Sequence, residues 1–130
     1  MTGVQTCALP ISPGWNYFQG SCYYFSSTPK SWSDSKTDCL RKSASLVNIG
    51  SDAENEFINN QITNITWLGL KEVSGDRLNW INDGSEPFYA KWNNGQPVYQ
   101  NGRDDCTFLQ FEFWSTKDCS QNLPFVCEKG

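Results

Sequence analysis

Asp104 and Asp105 are adjacent carboxylates that close a stretch rich in side-chain amides, among them Asn93, Asn94 and Gln96. Carboxylate and amide oxygens clustered in this way are the donors that a hard divalent cation such as calcium requires. The stretch, residues 92–106, carries two glycines and one proline and has almost no apolar periodicity. That composition belongs to a loop. It is longer than an ordinary connection, and loops of this length in compact domains are usually functional or disordered. Trp92 at one end and Cys106 at the other point to an anchored loop. The remainder of the chain must supply the frame that holds it.

Composition bounds the rest. The chain has 130 residues, which suits one domain. Six Trp, eight Phe and five Tyr supply enough apolar area for a real core. Net charge is −4 with only ten Lys and Arg, which argues against nucleic acid or an anionic membrane surface as partner. The absence of histidine removes the commonest general base, and neither a G-x-S-x-G motif nor a carboxylate pair in a clear setting suggests catalysis. Six cysteines in a small acidic chain suggest disulfides and an oxidising compartment. No apolar run reaches the 18 residues of a membrane span.

Read in order, residues 1–12 stand apart. Thr2 to Ile11 resembles the in-frame translation of a common sequencing-library adapter, so 1–12 is expected to be a foreign, unstructured leader and 13–130 the domain. A native signal or anchor is then expected to be missing from this chain. Trp15 to Phe25 predicts two aromatic strands around Gln19-Gly20. Ser31 caps a helix running to about Lys42, with Trp32, Cys39 and Leu40 on one stripe. Leu46, Val47 and Ile49 predict a short strand. Ser51-Asp52-Ala53-Glu54 is a capping box for a second helix to about Ile62, with Ala53, Phe57, Ile58 and Ile62 facing inward. Trp67-Leu68-Gly69-Leu70 reads as a fully buried strand, and Leu78-Asn79-Trp80 as another. Leu109, Phe111 and Phe113 alternate with Gln110 and Glu112 as a strand with one buried face. Phe113 and Trp114 are expected in the core. Phe125-Val126-Cys127 closes the chain as a last strand. Strands, two helices, then strands make an α+β fold.

The ordered set Gly14-Trp15, Cys22, Trp32 with Cys39, Leu46-Val47-Asn48-Ile49, Trp67-Leu68-Gly69-Leu70, Trp92, Gln96-Pro97, Asp104-Asp105-Cys106, Trp114, Cys119 and Phe125-Val126-Cys127-Glu128 resembles a C-type lectin-like domain. The resemblance spans residues 14–129. It implies a double-looped fold in which two helices flank antiparallel sheets and a long loop holds the ligand site. It also implies disulfides Cys39–Cys127 and Cys106–Cys119. Cys22 would pair with a cysteine just before Gly14, where only Cys7 of the adapter-like stretch is available; the alternative is that Cys22 is an unpaired thiol.

In sugar-binding members of that family, one calcium on the long loop touches the sugar. Matched position by position, Gln96 and Pro97 fit the galactose-type pattern, and the resemblance implies a cis bond between them. Val98 replaces an oxygen ligand with hydrocarbon. Asp104 fits the later acidic position, and Ser115-Thr116 replace Asn-Asp after Trp114. Losing three ligands should abolish or greatly weaken a metal site at Gln96 and Asp104, because calcium needs six to eight oxygens. An accessory site could draw only on Glu72, Asp76 and Asp105. The plainer reading makes Asp104 and Asp105 loop carboxylates satisfied by backbone amides or Arg103. Ligand contacts are expected at Gln96, Val98, Tyr99, Asp104, Phe108, Ser115 and Thr116, with Tyr99 and Phe108 as exposed aromatic anchors unless they merely pack. Asn64-Ile65-Thr66 is an N-glycosylation sequon. The expectation is a non-catalytic extracellular recognition domain, secreted or part of a receptor ectodomain. It would bind a protein or glycan without a cofactor. The alternatives are a weak calcium-dependent, galactose-type lectin, or a structural role of the ice-binding or matrix kind.

Overall fold

A computed structural model describes residues 14–74, 76–99 and 104–130. The expected leader 1–12, with Cys7, lies outside the described residues. In chain order the elements are β1 (Trp15–Phe18), β2 (Ser21–Phe25), α1 (Trp32–Arg41), β3 (Ser45–Leu46), α2 (Asp52–Gln61), β4 (Thr66–Val73), β5 (Arg77–Trp80), β6 (Asp105–Gln110), β7 (Phe113–Asp118) and β8 (Val126–Lys129). They build an α+β fold of two four-stranded sheets, ordered β1-β2-β8-β3 and β5-β4-β6-β7. Tyr24 of β2 lies opposite Cys127 of β8, so the last strand returns to the opening β1–β2 hairpin and closes the domain on itself.

Local chemistry explains the helices. The Ser31 hydroxyl accepts the Asp34 amide at 3.2 Å and starts α1. The Ser51 hydroxyl accepts the Glu54 amide at 3.1 Å and starts α2, while the Glu54 carboxylate reaches back to the Gly50 amide at 2.9 Å. Trp32 and Trp67 are fully buried, and each indole N–H finds a backbone carbonyl, Leu68 O at 2.8 Å and Lys30 O at 3.0 Å. Those two bonds let large rings enter the core without orphaned donors. The disulfides Cys39–Cys127 and Cys106–Cys119 are formed as the resemblance implied. They span 88 and 13 residues, and by the loop-entropy argument contribute about 4.6 and about 3 kcal/mol. Cys22 is also disulfide-bonded.

Three expectations are corrected. Ala53 is exposed, and the buried residues of α2 are Asn55 and Ile58. Asn55 is inside because its amide is fully used: Oδ1 accepts the buried Trp114 indole N–H at 2.8 Å, and Nδ2 donates to Glu112 O at 3.0 Å. Second, Leu109, Phe111 and Phe113 do not share one strand. Phe111 and Glu112 form the two-residue turn between β6 and β7, with φ of 50° and 66°. The tight twist of a two-residue hairpin demands positive φ at both turn positions, and here the demand is met without glycine or asparagine. Third, Phe113 is half-exposed rather than core, whereas Trp114 is buried.

Candidate functional site

The long loop is fastened at three places, each to β7 or its end. At its entrance, Trp92 and Trp114 form an isolated bridge, with Asn93 N donating to Trp114 O and Trp114 N to Lys91 O, both at 2.8 Å. The rings of Trp80, Tyr89 and Trp92 all meet Trp114 edge-on, with centroids 5.6–5.9 Å away. Such edge-to-face contacts suit the ring quadrupoles. At its far end, Cys106–Cys119 and a 3.2 Å bond from Cys119 N to Asp104 O close the loop.

Between those anchors lies a compact polar knot. The Gln96–Pro97 bond is cis, as the resemblance implied. Gln96 Oε1 accepts from the Thr116 amide at 3.0 Å and lies 3.2 Å from the Thr116 hydroxyl, whose one proton has a nearer acceptor in Val98 O. The same hydroxyl lies 2.6 Å from Val98 O and 3.1 Å from Val98 N. Gln96, Val98 and Thr116 are therefore brought together, as expected of a shared site, and their polar atoms serve one another. Ser115 is nearly buried and takes no part in the knot. The Asp104 side chain is 77% exposed and pairs with Lys71 at 3.8 Å. No hydrogen bond among the described residues joins it to Gln96. Arg103 lies outside the described residues.

A second group of acids sits beside the loop. Glu72 lies beside Asp76 and Asp105, and its carboxyl is pushed up by desolvation and then by the neighbouring acids. Tyr99 is half-buried against the core, and burial with the charges of Glu72, Asp76 and Asp105 pushes its phenol up. No cluster of three or more His, Cys, Asp or Glu is placed to hold a metal among the described residues.

The two aromatics expected as exposed anchors are only half-exposed. Phe108 packs on the core beneath Lys117, whose Nζ is 5.6 Å from the ring, and Tyr99 packs as described. The large exposed rings are instead Phe88 at 92% and Phe111 at 81%. Phe111 was hidden by its apparent strand alternation. Asn64 is exposed, as a glycosylation acceptor requires. Thr66 is buried and its hydroxyl donates to Asn64 O at 2.8 Å.

The family model described as Lectin C-type domain matches residues 28–129. C-type lectin domain family 12 member B of Mus musculus is 37% identical over 125 residues, covering 92% of this chain and 45% of that protein. CD209 antigen-like protein A of Mus musculus is 36% identical over 132 residues, covering 98% and 55%. The chain thus spans about half the length of these curated relatives. Among solved structures, the mouse scavenger receptor C-type lectin carbohydrate-recognition domain superposes with a TM-score of 0.83 at 32% identity, covering 90% of this chain and 95% of that one.

Proposed function

The chain belongs to the C-type lectin domain family, whose members are recognition domains and not enzymes, and from that premise we propose that it binds an extracellular protein or glycan through the long loop without calcium. The observation that carries this reading is the use of Gln96 Oε1 by Thr116. A cation at Gln96 would compete with the Thr116 amide for Oε1. It would then find a hydrocarbon at Val98, an alcohol at Thr116, and a single carboxylate, Asp104, already facing Lys71. That donor set does not fit calcium, whose affinity follows the number of charged oxygens. The contact surface on this reading comprises Gln96, Val98, Tyr99, Asp104, Phe108, Ser115 and Thr116. No helix among the described residues is long and apolar enough to cross a membrane. An extracellular setting is supported by the cystines and by the receptor name of the mouse structural relative.

The test is a thermal-shift titration with calcium and with chelator, followed by a glycan array in both conditions. We expect an unchanged melting temperature and chelator-resistant binding. A rise of several degrees at millimolar calcium would sink the reading, because a ligand at a hundred times its Kd adds about 2.7 kcal/mol. The second reading, a weak calcium-dependent lectin, is favoured by the retained Gln96 and Asp104 and by the carboxylates of Glu72, Asp76 and Asp105 beside the loop.

A further inference from the structure

We propose that Asn64 carries an N-linked glycan whose first N-acetylglucosamine rests on the ring of Phe111, a sugar seat separate from the long loop. Thr66 of β4 lies opposite Leu109 of β6. Asn64 precedes β4 and Phe111 follows β6, so both lie just beyond the same end of this strand pair. Both residues line one groove of about 390 Å³, together with Asn59, Ile62, Thr63 and Gln110.

The position of Phe111 is imposed and not incidental. It occupies a left-handed turn conformation, φ 50°, that a bulky residue rarely adopts, and leaves most of its ring in water. The turn is pinned to α2, because Asn59 Oδ1 accepts the Glu112 amide at 2.8 Å and Asn55 Nδ2 donates to Glu112 O at 3.0 Å. No ring–ring or cation contact among the described residues uses Phe111. A large apolar ring held out at a strained turn asks for a cover. The C–H face of a pyranose offers apolar hydrogens to the ring's negative face, and its acetamido group can meet the amide of Gln110 or the hydroxyl of Thr63.

Asn64 is presented for this. Its Oδ1 accepts the Ile65 amide at 2.9 Å, and no hydrogen bond among the described residues occupies Nδ2. Attachment joins Nδ2 to the anomeric carbon. A lipid-linked diphosphate donor leaves with the anomeric oxygen, and the amide loses a proton. Thr66 is closed in the folded domain, so the transfer belongs to the unfolded chain.

The test uses the full chain secreted from a host that makes high-mannose glycans, trimmed enzymatically to one N-acetylglucosamine. Mass spectrometry should find that sugar on Asn64. The trimmed chain should melt several degrees above Asn64→Gln. With Phe111→Asn in both backgrounds, the gap should collapse, and effects of Asn64 that do not involve the ring cancel in this cycle. In the parent, the acetamido methyl resonance should be shifted upfield by the ring, a readout that needs no variant. An unmodified Asn64, a gap that survives Phe111→Asn, or an unshifted methyl would each overturn the proposal. None of these residues belongs to the long loop, so the outcome leaves the calcium titration to decide that reading separately.

Discussion

At the scale of single residues, Thr116 decides the character of the loop. It stands where calcium-binding relatives are expected to carry a carboxylate, and it satisfies Gln96 Oε1 and the Val98 backbone instead. Restoring the missing oxygens tests this directly. The triple variant Val98→Asn, Ser115→Asn, Thr116→Asp should gain a calcium-dependent melting shift of more than about 5 °C, with none in the parent. Asn55 is the other decisive residue, because one buried amide serves both the Trp114 indole and the turn at Glu112. Asn55→Ala leaves both groups unsatisfied and should cost about 2–4 kcal/mol in urea denaturation. Neither role was legible in the sequence. An Asn in a helix and a Thr after a Trp have no local signature, and their partners lie 59 and 20 residues away.

At the scale of elements, β4 is packed so closely against the β3 segment that residue 69 must be glycine. A Cβ there would meet Leu46 O at 2.7 Å and Val47 O at 2.9 Å, both backbone atoms that cannot rotate away. Gly69→Ala should therefore destabilise the domain by at least about 2 kcal/mol, read as a lowered denaturation midpoint with the slope unchanged. The continuous apolar run Trp67-Leu68-Gly69-Leu70 did announce a buried strand, and the helix starts at Ser31 and Ser51 were announced by their caps. The β6–β7 hairpin was not. Alternating apolar residues describe a strand equally well whether or not it folds back at its midpoint, and only pairing across the turn distinguishes the two.

At the scale of the whole molecule, the sheet that closes the chain carries an acid inside it. Glu128 of β8 accepts the Asn48 amide at 3.2 Å, and burial followed by the charge of Glu54 pushes its carboxyl up to about 7. The folded state therefore holds a proton between the ordinary carboxylate range and pH 7 that the unfolded chain releases. The resulting stabilisation is complete below the unfolded value and lost as pH rises through about 7. Asp38 and Asp52, held low by Lys42 and by Tyr89, act in the opposite sense at more acid pH, whereas Glu72, also pushed up, adds to the loss of stability with rising pH and leaves a residual slope when Glu128 is replaced. The domain should gain up to about 3 kcal/mol between pH 7.5 and 5, and Glu128→Gln should flatten that slope in denaturation at the two pH values.

Composition, caps, cysteines and the ordered tryptophans were enough to read the α+β class, the two helices and the anchored loop. These are properties of residue type and short spacing, which survive without coordinates. Which polar atoms satisfy one another, and how far each ring of Phe108, Phe111 and Phe113 stands in water, were settled only by folding. Each depends on strand register, and register follows from which distant segments find it favourable to pack together.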